Sequence, residues 1–196
     1  MSEADRIFER FPPFVREFIY THSWESLRGM QIAAAHTLLD SDHHLLLTSG
    51  TASGKTEAAF FPILSKLYEN PSRSVAVLYI APLKSLINDQ FARMEELLEE
   101  SGIPVTHWHG DVSASHKKKL LETPSGVLQI TPESLESMLL HRSNDIVRIF
   151  GDLRVLRAAI SLPLTSGSRL PPTRVTHRVR YVLKTRISLT ICRRRR

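Results

Sequence analysis

One short glycine-containing segment constrains this chain more than any other feature. Residues 49–56 read SGTASGKT. They follow an apolar run at 44–48 and precede a stretch, 54–69, in which apolar residues recur at helical spacing. A loop of small residues between the end of a strand and the beginning of a helix lets backbone N–H groups converge on a phosphate. The segment therefore predicts a phosphate-binding loop.

The residue types in this loop suit a nucleotide. Gly50 and Gly54 allow the backbone to approach a phosphate closely. We expect Lys55 to reach the β- and γ-phosphates of ATP, and the Thr56 hydroxyl to ligate Mg²⁺. Lys55 and Thr56 are thus the candidate catalytic residues, and Thr56 is the candidate metal ligand. The predicted nucleotide-binding loop comprises Ser49, Gly50, Thr51, Ala52, Ser53, Gly54, Lys55 and Thr56.

Short apolar runs alternate with longer amphipathic stretches up to residue 154. Strands are predicted at 44–48, 74–80, 105–108 and 126–130, and helices at 54–69, 113–122, 132–141 and from Pro82 to Leu98. This alternation favours an α/β fold with a doubly wound, mostly parallel sheet. After Arg154 the rhythm breaks down, so residues 155–196 are expected to form an irregular basic tail, with a strand at 179–183 as the exception.

The net charge of the chain changes sign at nearly the same position. Residues 1–151 contain 14 Lys and Arg against 19 Asp and Glu, a net charge of −5. Residues 152–196 contain 12 Lys and Arg against Asp152 alone, a net charge of +11. The terminal run from Arg193 to Arg196 is either a phosphate-binding element or a solvated chain end.

Composition excludes several other classes of site. Cys192 is the only cysteine, which excludes an intrachain disulfide. The histidines have no cysteine or acidic partners at ligand spacing, so we expect no structural metal. Charged residues interrupt the first twenty positions, so neither a signal peptide nor a membrane span is expected. These features predict a soluble, cytoplasmic and monomeric protein.

Several segments resemble superfamily 2 helicases, the group that contains DEAD/DEAH-box and large helicase-related proteins. Residues 51–58, TASGKTEA, resemble motif I, and residues 81–90, APLKSLINDQ, resemble motif Ia of the large helicase-related type. Residues 109–111, HGD, resemble an intervening glycine turn, and 130–135, ITPESL, resemble motif Ib. Residues 24–31, WESLRGMQ, resemble the segment that places a glutamine on adenine. The resemblance covers residues 11 to about 154, the N-terminal part of a P-loop RecA-like domain.

This resemblance implies ATP and Mg²⁺ as cofactors and DNA or RNA as the partner. Gln31 would select adenine, because an amide can both donate to and accept from its N6/N7 edge. Helix N-termini and hydroxyls would bind phosphates without reading bases. Lys117 to Lys119 are either a further phosphate contact or a solvated helix face. The implied nucleic-acid residues are Pro82, Lys84, Gly110, Thr131, Pro132 and Glu133.

The family pattern also requires an acidic motif, Asp-Glu-x-His or Asp-Glu-Ala-Asp, at the end of the next strand. Residues 150–154 look like its lead-in, but the chain continues VLRAAISLP, and no Asp or Glu follows Asp152. A second RecA-like domain would need about another domain's length. The predicted organisation is a partial RecA-like domain at 1–154 and an Arg-rich tail at 155–196. A shifted reading frame, disorder or a basic extension would each account for that tail, and the coding sequence after Arg154 distinguishes the first.

The leading prediction is an ATP-dependent helicase or translocase, represented by part of its first motor domain and unable to hydrolyse ATP or unwind alone. Two alternatives remain at this point. One is a non-catalytic basic nucleic-acid-binding module that uses the tail, and the other is a small P-loop kinase.

Overall fold

The computed structural model describes residues 1–48, 53–161 and 179–185. The helices of the described residues are α1 (Glu3–Phe8), α2 (Pro13–Thr21), α3 (Gly29–Asp40), α4 (Lys55–Glu69), α5 (Lys84–Leu98), α6 (Ala114–Glu122), α7 (Pro132–His141) and α8 (Ile146–Phe150). The strands are β1 (Leu45–Thr48), β2 (Val75–Ile80), β3 (Val105–Trp108), β4 (Gly126–Ile130), β5 (Val155–Ser161) and β6 (Val179–Thr185).

These strands form one sheet with the order β1-β6-β5-β2-β4-β3. Strands β5, β2, β4 and β3 run parallel to their neighbours, and β6 lies antiparallel between β5 and β1. Because β1 and β5 both oppose β6, β1 has the same direction as the four parallel strands. The predicted mostly parallel α/β sheet is confirmed.

Helices cover both faces of the sheet. On β2, Val77 and Tyr79 pack into the cluster formed with α1 to α5, whereas Leu78 and Ile80 pack against residues from α6 to α8. Alternate residues of a strand point to opposite faces, so the fully apolar run of β2 fits a strand buried on both sides. The chain is therefore doubly wound, as predicted.

The sheet continues past Arg154, where the sequence predicts the start of the irregular tail. Strand β5 pairs in parallel with β2, from Val77 opposite Val155 to Ile80 opposite Ala158. Its Arg157 is fully buried, with the guanidinium carbon 4.2 Å from the ring centroid of Phe60. An arginine stacked on an aromatic face retains a favourable electrostatic contact, which helps this strand to accommodate a charge. Residues 155–161 thus form regular structure.

The strand predicted at 179–183 is present as β6. Residues 162–178 and 186–196, which include most of the predicted tail, lie outside the described residues.

Candidate nucleotide and nucleic-acid sites

The predicted site residues gather at the carboxyl edge of the sheet. The phosphate loop follows β1, Pro82 and Lys84 follow β2, Gly110 follows β3 and Thr131 follows β4. Open α/β sheets bind ligands at this edge, because the loops leaving parallel strands meet there. Four of the loop residues, Ser49, Gly50, Thr51 and Ala52, lie outside the described residues.

The described end of the phosphate loop begins α4. Gly54 is its N-cap, with φ at 80°, and Lys55 follows as the first helical residue. Lys55 is buried, and its Nζ donates to Ser53 Oγ at 3.2 Å. Burial lowers the pKa of Lys55, since desolvation disfavours the ammonium form. Thr56 is half-buried in the first turn of α4, where the helix dipole favours an anion.

Gln31 lies against this end of the loop, as the motif implied. It is only 2% exposed, and its Oε1 accepts a hydrogen bond from the backbone N–H of Arg28 at 2.8 Å, which caps α3. Its Nε2 has no hydrogen-bond partner in the part of the chain that the structure describes. A Cβ atom at Gly54 would lie 2.8 Å from this nitrogen, so glycine permits the close approach of α3 and α4.

An ion pair that the sequence did not predict joins α4 to α5. Its carboxylate belongs to Glu57, in the first turn of α4. Its side chain is 8% exposed and its Oε1 contacts Arg93 Nη2 of α5. A buried carboxylate needs such a partner, because an unpaired one would be strongly destabilising. Arg93 is half-exposed, and nothing in its sequence neighbourhood distinguishes it from a surface arginine.

Most of the predicted nucleic-acid residues line one groove of about 660 Å³. They are Pro82, Lys84, Gly110, Thr131 and Glu133. Pro132 is the exception, since it occupies the first position of α7 and is exposed beside the groove. The lining also contains residues outside the predicted set: Trp108, His109, Lys117, Ser134, Ser137, Met138, His141 and Arg142. The groove thus extends along α7.

Hydrogen bonds fix the walls of this groove. Thr131 caps α7, because its hydroxyl accepts from the backbone N–H of Ser134 at 3.3 Å. Lys84 Nζ donates to both carboxylate oxygens of Asp111 at 2.9 Å. Lys117 Nζ lies 3.4 Å from the carbonyl oxygen of Gly110. The two lysines therefore flank the glycine turn after β3.

The rings beside the groove are held in the protein. His109 is buried, and its Nε2 lies 3.0 Å from the amide oxygen of Asn88. Since an amide oxygen only accepts, His109 Nε2 is the donor in this contact. Burial is the main reason that the pKa of His109 is lowered. Trp108 is only 8% exposed, beneath the Lys117 ammonium, which lies 5.8 Å from its ring centroid. Neither ring offers a free face for a base.

Among the described residues, no helix has an uninterrupted apolar stretch of the length that spanning a bilayer requires. No group of three or more His, Cys, Asp or Glu side chains among them is arranged to hold a metal ion.

Solved structures share this fold. The helicase Lhr of Mycobacterium smegmatis, bound to single-stranded DNA and AMP-PNP, superposes with a TM-score of 0.60 at 27% identity, covering 76% of this chain and 20% of that one. The DEAD-box helicase Mss116, bound to single-stranded RNA and UDP-BeF, gives a TM-score of 0.68 at 18% identity, covering 79% of this chain and 32% of that one. At the latter identity the likeness concerns the fold alone.

Sequence relatives point to the same group. The ATP-dependent helicase Lhr-Core of Saccharolobus solfataricus is 36% identical over 143 residues, which cover 66% of this chain and 16% of the relative. The Lhr helicase/uracil glycosylase of Escherichia coli K12 is 28% identical over 159 residues, which cover 70% of this chain and 10% of the relative. The chain thus spans less than a fifth of the length of these two relatives. A family model described as DEAD/DEAH box helicase matches residues 28–156, and the chain therefore belongs to the DEAD/DEAH box helicase family.

Proposed function

We propose that this chain forms the nucleotide-binding and nucleic-acid-binding part of the first motor domain of an ATP-dependent helicase or translocase. The supporting observation is that the two predicted sites lie on consecutive βα units at one sheet edge. Lys55 begins α4 beside the phosphate loop, and Lys84 begins α5 beside the groove. The Glu57–Arg93 pair joins these two helices. A shift of either helix on ligand binding would therefore act on the other helix through this pair.

The nucleotide end has the groups that ATP requires. The Gln31 amide nitrogen is a buried donor without an acceptor among the described residues, and adenine N7 is an acceptor of the matching kind. Lys55 would hold the β- and γ-phosphates, and the Thr56 hydroxyl would ligate Mg²⁺. Hydrolysis of the bond between the β- and γ-phosphates of ATP powers a motor of this kind. The residues named here bind and orient that group.

The groove is suited to the backbone of a single strand of DNA or RNA. Among the described residues, its lining carries the cations Lys84, Lys117 and Arg142 and one carboxylate, that of Glu133. The buried rings of Trp108 and His109 leave little aromatic surface for base stacking. Contacts to phosphates without base contacts give binding that is independent of sequence, as a translocating motor needs.

Lys117 provides a test of this groove. We expect Lys117→Ala to weaken binding of fluorescein-labelled oligo(dT) about fivefold, and to reduce the salt dependence of log K by about 0.7, because one phosphate contact is lost. Lys118→Ala is the matched control. Lys118 is 76% exposed, pairs with Glu122 at 3.7 Å and does not line the groove. Fluorescence anisotropy measures both variants, and equal losses would indicate diffuse electrostatic binding outside the groove.

The proposal also predicts that this chain alone does not turn over ATP. The family's acidic pair would stand at the carboxyl edge of β5, where the chain has Ala159, Ile160 and Ser161. None of these three residues carries a carboxylate that would hold Mg²⁺ or polarise the attacking water. We expect phosphate release at the rate of a heat-denatured control, with or without oligo(dT). Turnover stimulated by oligo(dT) would contradict this part of the proposal.

A further inference from the structure

Lys84 is a cation that the groove would offer to a nucleic-acid phosphate, and in this structure it forms an ion pair with Asp111. Lys84 lines the groove and its side chain is 51% exposed. Asp111 comes from the turn after β3, 27 residues away, and both of its oxygens accept from Lys84 Nζ at 2.9 Å. An ammonium has three N–H donors, so this geometry leaves one for any other ligand.

Asp111 has the features of a phosphate substitute. The hydrogen bond from Lys84 lowers the pKa of this carboxyl below its usual value, and an aspartate is ionised at neutral pH even without that shift. It presents two anionic oxygens to one ammonium, as a phosphate diester does. Its side chain is 70% exposed, so it can turn into solvent without leaving a buried charge.

Asp111 and a phosphate share the donors of one ammonium. A bound strand either displaces Asp111 from Lys84 or is left with the one remaining N–H group. Exposed ion pairs are weak, so the displacement is feasible and its cost is small.

We propose that Asp111 is an intramolecular competitor of nucleic-acid phosphate for Lys84, and that it lowers the affinity of the groove for a single strand. The inference rests on the proposed function, because it assumes that the groove binds nucleic acid. Its consequence for a motor is weaker holding of the strand, since each release of phosphate from Lys84 is assisted by the return of Asp111.

A double-mutant cycle on the full chain tests this competition by anisotropy with fluorescein-labelled oligo(dT). Asp111→Asn is expected to tighten binding by about two- to fivefold, since an exposed pair of this kind is worth up to about that factor. In the Lys84→Ala background the same substitution should tighten binding by less than about 1.5-fold, because its partner is gone.

Glu133→Gln is the matched control, because Glu133 lines the same groove and has no lysine partner among the recorded ion pairs of the described residues. It removes one negative charge from the groove without releasing Lys84. We expect a smaller gain from Glu133→Gln than from Asp111→Asn, and the same gain with and without Lys84. Circular dichroism establishes that each exposed substitution leaves the fold intact.

The possible results separate the two proposals. Equal gains from Asp111→Asn in the two Lys84 backgrounds would overturn the competition, because only the general charge of the groove would then matter. Binding of oligo(dT) that is unaffected by Asp111→Asn would overturn it too, while the proposed function would stand. Failure of every form to bind oligo(dT) would instead remove the groove assignment, and the competition with it.

Discussion

Replacing Lys55 with methionine is expected to weaken binding of ATP by about ten- to a hundredfold, since a charge-assisted hydrogen bond to a phosphate contributes about 1.5–3 kcal/mol. Methionine keeps most of the aliphatic length of the buried side chain and removes only the ammonium group. Because burial already disfavours the charged form of Lys55, the substitution should not destabilise the fold. Isothermal titration calorimetry with a non-hydrolysable ATP analogue measures the change.

Lys66→Met is the control for this prediction. Lys66 belongs to the same helix, α4, but stands in its last turn, far from the loop. It should bind the analogue as the unmodified chain does. An unchanged dissociation constant for Lys55→Met would mean that nucleotide is not held at this loop.

A second large effect is expected at Gly126, where alanine should reduce the free energy of unfolding by about 3 kcal/mol or more. Gly126 has a φ of 66°, and a Cβ atom there would lie 2.0 Å from the carbonyl oxygen of Pro104. That oxygen also accepts from the backbone N–H of Val127 at 2.9 Å, so it cannot move without loss of a hydrogen bond. The first residue of β4 would have to shift, and β4 lies in the middle of the parallel strands.

Gly102→Ala separates the cost of a positive φ from the cost of the close contact with Pro104. Gly102 has a similar φ of 68°, but no heavy atom lies within 4 Å of the Cβ position. The free energy of unfolding of Gly102→Ala should therefore fall only by the cost of a positive φ in a residue other than glycine, about 1 kcal/mol. Urea denaturation of both variants measures the difference. Equal losses would mean that the close approach to Pro104 is relieved without cost.

The strands and helices between residues 44 and 141 could be predicted from the sequence, because apolar periodicity and loop chemistry agreed. The helices α1, α2 and α3 before them were not predicted. The run at 105–108 and the helix at 132–141 have the predicted bounds. The resemblance named Gln31 as an adenine-selecting residue, and its close approach to Gly54 is seen in the structure. The common edge of the nucleic-acid residues follows from parallel strands, once each residue is placed after a strand.

Other features depend on long-range packing that no local pattern carries. Arg93 resembles any surface arginine until α5 is placed beside Glu57 of α4. The arginine-rich composition after Arg154 predicted an irregular tail that includes Arg157. In the structure, the rings of Phe60 and Tyr79 contact the Arg157 guanidinium and accommodate its charge inside the sheet. The pairing of Lys84 with Asp111 requires β2 and β3, which flank β4 on its two sides, to end at the same edge of the sheet.

The antiparallel strand β6 has a consequence for the nucleotide site. Strand β1, which leads into the phosphate loop, stands at the edge of the sheet, and within the described residues its only strand partner is β6. Seven residues from the arginine-rich part of the chain thus fill the gap between the loop-bearing strand and β5. In mechanical terms, the segment that composition makes easiest to dismiss ties the strand before the phosphate loop to the other strands of the sheet.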